Sequence, residues 1–437
     1  MKKKRTLGSL IIAISLLLAA SIALGFSGQG DEYRFFVGLG EKFDISPDDK
    51  NLLFSYYSGG DEAIYESDTD GKKVRKLVDS EDDRLRAPKY SHDGKHFLFL
   101  AADSEGIQSL HMAGRDGNGE KVLTDKDTHV SQAIFSADGN SIYYTAIAAE
   151  DFKKAEGETK EGLDLYSIGI DGKGKKQLTD RDYFSMNTLA LSEDGKELYY
   201  SLYNGSRETI TAYSIERGTE KSAEGSAKLP AESFAIQVSP DNSQIAYTTI
   251  SEESRNSSLY EYELHILDKE TGETERMTNL RKSVTSPLFF HNGSRIAFLE
   301  YENWSATPEK YKFYIQDIDS KKLESISFSV PSGKPFNGVL YMMSSLVDGR
   351  ALTILYTILL CLTATYCSFF YPHRRYLPAK AGLALAVAGI AVSIGAAVTG
   401  NPWMGIALGM LGAALLGASV VAFLYTFILT RWRRPGY

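Results

Sequence analysis

A nine-residue box occurs six times in this chain, and its recurrence constrains the fold more than any other feature. The copies run Ser46–Phe54 (SPDDKNLLF), Ser91–Phe99 (SHDGKHFLF), Ser136–Tyr144 (SADGNSIYY), Ser192–Tyr200 (SEDGKELYY) and Ser239–Tyr247 (SPDNSQIAY). A sixth, Phe290–Phe298 (FHNGSRIAF), lacks the Ser but keeps the Gly and the apolar end. Successive starts are 45, 45, 56, 47 and 51 residues apart. A period in this range predicts propeller blades, one four-stranded sheet per repeat.

The box reads as a turn. Pro pre-sets φ at the first corner, Asp bonds its own backbone, and Gly or Asn takes the left-handed position that closes it. The apolar end alternates as a half-buried strand does. Short apolar runs precede the boxes, among them Phe43-Asp44-Ile45, Ala133-Ile134-Phe135 and Ile236-Gln237-Val238. Each box is therefore predicted to be the hairpin between the first two strands of a blade. Turn chemistry accounts for every position, so the box Asp residues are not taken as catalytic or metal-binding.

Two companion signals recur. A second turn follows at Asp70-Gly71, Asp116-Gly117, Asp171-Gly172, Arg217-Gly218, Thr271-Gly272 and Asp319-Ser320. Strands then end in Leu77-Val78-Asp79, Leu123-Thr124-Asp125, Leu178-Thr179-Asp180 or Met277-Thr278-Asn279. Together these motifs resemble the TolB-type propeller repeat, also found beside peptidase domains in the prolyl oligopeptidase group. The resemblance covers Lys42 to Phe328 and implies an all-β six-bladed propeller, joined here to α-helical transmembrane segments. It implies no function, because one fold hosts many. TolB proteins themselves are soluble and carry an extra N-terminal domain. Neither feature is read from this chain, so a role in outer-membrane assembly does not carry over.

Charge is unevenly placed. All 56 acidic residues lie between Gly28 and Arg350. Ten of the 48 cations lie outside: Lys2, Lys3, Lys4, Arg5, Arg374, Arg375, Lys380, Arg431, Arg433 and Arg434. The middle keeps 38 cations against 56 acids, a net of −18. Such a domain is a poor nucleic-acid binder. The charge keeps it soluble and favours cations or basic partners. The acidic domain has no cysteine; the chain's two, Cys361 and Cys367, both fall in an apolar segment and are too far apart on a helix to form a disulfide.

The ends read as membrane segments. Residues 1–27 form a basic cap and a 20-residue uncharged stretch, Leu7 to Phe26, long enough for a spanning anchor. Ser21-Ile22-Ala23 is an acceptable cleavage site, so a signal peptide is the alternative. Residues 28–41 read as a linker, 42–328 as the propeller and 329–350 as a second linker. The Phe35-Phe36-Val37 patch reads as a strand or as a contact on the propeller side. Residues 351–371, 381–399 and 403–430 each span, and 431–437 is a tail. The positive-inside rule puts the N-terminus, the 372–380 loop and the tail in the cytoplasm. The propeller is then extracytoplasmic on a multi-pass protein of the cell membrane, and the lack of disulfides suits a bacterial envelope. Gly405, Gly409, Ala413 and Gly417 make a small-residue stripe, which either packs the helices together or docks a partner membrane protein.

Chemistry is sparse. There is no Gly-x-Ser-x-Gly elbow and no phosphate-binding loop, and the seven histidines show no metal-ligand spacing. The strand-four exits supply Asp79, Asp82, Asp125, Asp127, Asp180 and Asp182. Gathered at a channel mouth they would bind Ca²⁺ or a basic peptide; otherwise they are solvated loop charge. Long insertions at 148–162, 251–260 and 301–310 are expected at the same end as these exits. The expectation is a membrane-tethered, non-catalytic propeller that binds a protein or envelope ligand. The alternatives are an accessory or sensory subunit docking through its helices, and a hydrolase-type enzyme at the propeller mouth.

Overall fold

The computed structural model describes residues 2–26, 33–34, 36–154, 158–159, 161–203, 205, 208–331, 349–399 and 402–432. The chain splits into two compact units, Phe35–Pro335 and Met1–Arg34 with Phe336–Tyr437.

The first unit is a propeller-like array of antiparallel meanders, each paired in chain order. The first is β1 (Val37–Ile45), β2 (Asn51–Ser58), β3 (Asp61–Asp68) and β4 (Arg75–Val78). Next come β5 (Arg84–Tyr90), β6 (His96–Ala102), β7 (Gln108–Gly114) and β8 (Lys121–Val122). The third is β9 (Thr128–Phe135), β10 (Ser141–Ala148), β11 (Asp164–Gly169) and β12 (Lys176–Gln177), with a one-turn helix α2 (Ala149–Phe152) in its insertion. The fourth is β13 (Asn187–Leu191), β14 (Glu197–Tyr203), β15 (Glu208–Ser214) and β16 (Thr219–Ser222). Then follow β17 (Phe234–Val238), β18 (Gln244–Ile250), β19 (Tyr262–Asp268) and β20 (Thr274–Arg276). The chain of strands ends with β21 (Ser283–Phe289), β22 (Arg295–Tyr301), β23 (Tyr311–Asp317) and β24 (Leu323–Ile326). A single parallel bridge, Tyr262 to Ser283, joins these last two meanders into one sheet.

Each box is the hairpin between first and second strands. In the first box Ser46 Oγ donates to Asp48 at 2.7 Å and accepts the Asn51 N–H at 2.9 Å. The same pair of bonds recurs from Ser91, Ser136, Ser192 and Ser239. The closing residue is left-handed: Asp49 (φ 59°), Gly94 (66°), Gly139 (69°), Gly195 (71°), Asn242 (60°) and Gly293 (71°). The Leu-Thr-Asp ends have a local cause too. The hydroxyls of Thr124, Thr179 and Thr278 each accept a strand-three N–H, from Leu110, Leu165 and Leu264, at 2.9 Å. That bond holds the outer strand after its ladder has thinned to two or three residues.

Apolar side chains pack between successive meanders. Leu53 and Ile64 of the first meet Phe97 and Phe99 of the second. Phe43 and Phe54 of the first meet Phe290 and Phe313 of the last. The array therefore returns on itself. The strand alternation also places the insertions: Ala148 pairs with Thr128, at the start of β9, and the Ala149 N–H bonds the Asp127 carbonyl at 2.8 Å. The long loops thus share the end where first strands begin, and the box turns lie at the other end.

One boundary differs from the sequence reading. The first strand starts at Val37, inside the segment read as a linker, because the Phe36 carbonyl accepts the Gly59 N–H at 3.0 Å and its ring packs on Tyr57. Most of the 329–350 segment and the tail from 433 lie outside the described residues.

The second unit is helical: α1 (Lys2–Phe26), α3 (Gly349–Phe370), α4 (Leu377–Val398) and α5 (Pro402–Trp432). All four are long and apolar enough to cross a membrane. α4 and α5 run antiparallel at close range. A Cβ on Gly405 would lie 2.8 Å from Ala397, and one on Gly412 2.7 Å from Ile390. Ser393 Oγ donates to the Gly405 carbonyl at 2.6 Å and stands 3.0 Å from a Cβ on Gly409. The predicted partner stripe therefore divides. Gly405 and Gly409 are covered from within the chain, whereas Ala413 and Gly417 are exposed. Gly412, which the stripe omitted, is the buried contact.

Candidate functional site: the axial channel

Counting back from the first residue of each box gives the layers of a channel. Residues two before it are Asp44, Lys89, Ile134, Ala190, Gln237 and Leu288, all lining a cavity of about 510 Å³. The rim of that cavity holds the second residue of every box: Pro47, His92, Ala137, Glu193, Pro240 and His291. A second cavity, of about 520 Å³, lies at the insertion end and shares Lys89, Ile134, Leu189, Gln237 and Leu288 with the first. The two are halves of one channel meeting at a waist.

At the waist the Asp44 carboxylate is buried. It accepts Lys89 Nζ at 2.9 Å and the Tyr90 N–H at 2.8 Å. On the third first-strand, Gln132 donates to the Met186 carbonyl at 2.9 Å and accepts the Leu189 N–H at 2.8 Å. Both ends of its amide tie one meander to the next. Ser286 Oγ reaches the Glu41 carbonyl at 3.0 Å and ties the last meander to the first.

The mouth at the insertion end is made by bulges. In every first strand the register slips shortly before the box: directly before Lys89, Ala190, Gln237 and Leu288 in four strands, and one or two residues earlier, before Phe43 and Gln132, in the other two. Four of the extra residues are left-handed without being glycine: Ala87 (φ 50°), Thr188 (54°), Ala235 (47°) and Ser286 (52°). Each such residue costs on the order of 1 kcal/mol. All four line the mouth. A bulge bends its strand and re-aims side chains, here around a rim of small residues. Where the first strand has Gly40 instead, a Cβ would stand 2.0 Å from Ser55 Oγ and 2.7 Å from Glu62 Oε1. Glycine is required for that approach.

Charged groups at the mouth are already partnered. Lys42 pairs with Glu41 at 3.1 Å and holds that carboxyl below the usual range. Burial pushes the Glu208 carboxyl up, against hydrogen bonds from Asn187 at 2.9 Å and Ser201 at 3.2 Å. Burial likewise raises Glu62, against the Arg86 guanidinium at 3.0 Å. Phe184 stands 71% exposed on the rim.

The acidic exits are elsewhere. Asp79, Asp82, Asp125, Asp127, Asp180 and Asp182 are all exposed, and none lines the channel. Strand four is the outermost of each meander, so its exit lies at the periphery. Asp79 is bonded to Lys76, and Asp182 accepts the Gly162 N–H at 3.1 Å. Among the described residues no three His, Cys, Asp or Glu side chains are placed to hold a metal ion. The channel layer two residues before each box follows from the box spacing, but sequence inspection for charge pointed to the exits instead.

No family model matches the sequence, and no curated protein matches it. In structure the chain is similar to TolB from Acinetobacter baumannii, with 19% identity over 64% of this chain and 64% of that one and a TM-score of 0.48. It is also similar to a putative TolB from Agrobacterium tumefaciens (19% identity, 58% of this chain, 83% of that one, TM-score 0.44). A third similarity is to an oligogalacturonate lyase from Vibrio parahaemolyticus (13% identity, 69% and 82%, TM-score 0.44). The chain spans just under two thirds of the length of the Acinetobacter TolB.

Proposed function

We propose that this chain is a membrane-tethered, extracytoplasmic six-bladed propeller that binds a protein or envelope ligand, without catalysing a reaction, at the insertion-end mouth of its channel. The observation that carries the reading is the ring of bulged first strands, each contributing to one cavity of about 520 Å³. A rigid concave site walled by many strands is the usual form of a binding pocket. Six shared cores, the last between the first and final meanders, support a closed ring of six blades. Asp44, Lys89, Glu41, Lys42, Gln132 and Glu208 are held by partners within the protein. Groups so engaged suit recognition by shape better than proton transfer.

The arrangement of the helical unit supports the topology in this reading. Lys4 Nζ lies 3.4 Å from Tyr371 Oη, so the basic N-terminus sits beside the basic turn between α3 and α4. The positive-inside rule then assigns both to the cytoplasm and the β unit to the outer side. Ser21, within the candidate cleavage site, is buried in that unit, which favours α1 as a retained anchor.

The test is site-specific photo-crosslinking of the full chain in its native membrane. A crosslinker at Phe184 should capture a ligand, and one at Lys173, in a turn at the far end, should not. Equal capture from both positions would remove the mouth as the site. A turnover activity of the full chain abolished by Glu208→Gln would replace the binding reading with an enzymatic one.

A further inference from the structure

The helical unit has two unequal ends. Residues 1–30 and 349–437 contain no Asp or Glu. The cations of these segments therefore have no carboxylate partner in their own sequence. α5 runs back along α4, with Phe423 against Tyr376 at 5.1 Å between ring centroids. That register brings Arg431 to the end that already holds the N-terminus of α1 and the Tyr371–Tyr376 turn. Among the described residues of the helical unit, Arg350 is the cation at the start of α3, at the other end.

Several groups at the cationic end are fixed in position. The Lys4 ammonium lies 5.3 Å from the Tyr371 ring and 5.6 Å from the Phe370 ring. Arg375 lies 5.3 Å from the Tyr376 ring. The turn between α3 and α4 is short and closed by the Arg374 N–H on the Tyr371 carbonyl at 2.8 Å. α4 starts with no side-chain cap, so its first N–H groups also point at this end. Arg374, Arg375 and Lys380 are exposed, and the exposed rings of Tyr371 and Trp432 mark an interfacial belt. Cations from three helix ends thus converge where lipid headgroups would lie.

We propose that this end holds the phosphate of an anionic phospholipid, between α1 and the α3–α4 turn, with Lys4, Arg374, Arg375 and Lys380 as its counter-charges. The proposal rests on the reading of these helices as membrane-spanning. Unpaired cations beside a bilayer attract anionic headgroups over zwitterionic ones. The aromatic rings under Lys4 and Arg375 hold two of these cations in place rather than leaving them free to disperse.

The experiment uses the full chain in detergent, titrated with short-chain phosphatidylglycerol or phosphatidylcholine and read by native mass spectrometry. Phosphatidylglycerol should bind at least tenfold more tightly. Arg374→Gln, Arg375→Gln and Lys380→Gln should each weaken it by about fivefold, as loss of one cation near a headgroup does. Lys4→Gln should act in the same direction, and Arg350→Gln, at the other end, should change nothing. Equal binding of the two lipids, or a preference that survives the triple substitution, overturns the proposal. Displacement of the lipid by excess inorganic phosphate would assign the site to a free anion and overturn it too. Alkaline extraction of the chain from membranes tests the spanning reading separately: a chain that resists extraction but shows no lipid preference refutes only this inference.

Discussion

Asp49 of the first box accepts the backbone N–H of His291 in the sixth at 2.8 Å. Its other oxygen takes the Asn292 N–H at 3.0 Å. Asp49 is itself left-handed, at φ 59°, in the position that glycine occupies in four other boxes. One residue therefore closes its own turn and fastens the last meander to the first. Removing its carboxylate by Asp49→Ala leaves two N–H groups without their acceptor. The expected cost is about 1–3 kcal/mol, read by urea denaturation of the β unit in the full chain. No change in midpoint would mean that the ring is closed without the Asp49 carboxylate.

Glycines at the two turn types should differ in what they tolerate. At Gly94 (φ 66°) a Cβ meets nothing closer than 3.6 Å, so Gly94→Val carries backbone strain alone, about 1–3 kcal/mol. At Gly117 (φ 85°) a Cβ would stand 2.2 Å from the Leu77 carbonyl oxygen of the preceding meander. Gly117→Ala should therefore be the more damaging, although alanine is smaller. The reverse order of melting temperatures would contradict this account of the turns.

His129 should make the propeller acid-sensitive. It is buried against Phe152, ring centroids 3.5 Å apart, and its Nδ1 accepts the Gln108 N–H at 3.3 Å. Burial holds its pKa down at about 4, from an ordinary 6.5. Between those values the unfolded chain binds the extra proton, so stability is full above pH 6.5 and is lost as pH falls towards 4. The loss attributable to this group is about 3 kcal/mol at most. His129→Asn should lower stability at pH 7 yet flatten its decline between pH 6.5 and 4. Parallel pH profiles for the two proteins would rule His129 out as the cause.

The membrane topology can be read chemically. Ser254 is buried, whereas its neighbour Asn256 is exposed in the fifth meander's insertion. In a background with Cys361→Ser and Cys367→Ser, Asn256→Cys should react with an impermeant maleimide on intact cells. Arg375→Cys should react only after the membrane is opened. Labelling of both from the same side is the outcome that would break the topology.

The two faces of α5 make a further contrast. Gly412→Leu drives a side chain into Ile390 and should unseat α5 from α4, seen as loss of a Ser393→Cys to Gly409→Cys disulfide crosslink, whose Cβ atoms would stand 3.9 Å apart. Gly417→Leu faces open space, with nothing within 4 Å of its Cβ, and should leave that crosslink intact. If Gly417→Leu abolishes a co-purifying membrane protein, the exposed half of the stripe is a docking surface. If it does not, the stripe serves packing within the chain.

The sequence alone determined what is local and periodic. A Ser-x-Asp box closed by Gly, Asn or Asp fixes a turn by its own hydrogen bonds and φ preferences, so five such boxes, with the sixth that keeps the Gly, announce their hairpins without any partner. Apolar runs of about 20 residues likewise announce membrane-length helices. Even the meaning of strand direction followed, because alternation forces the Ala148–Gly162 insertion to the end where β9 begins. What tertiary structure decided is which of many polar residues meet. Asp79, Asp125 and Asp180 stood out as charge, yet they leave from outer strands and end at the periphery. Asp44, Lys89 and Gln132 look unremarkable in their strands. They share the channel because residues 45 apart in the chain are brought to one axis by packing of whole sheets. Gly412 was likewise invisible within a run of small residues, since only the approach of α4 distinguishes its face from that of Gly417. Turns are set by interactions a few residues long, whereas the channel and the helix seam are set by contacts across the ring and the bundle, which no local pattern records.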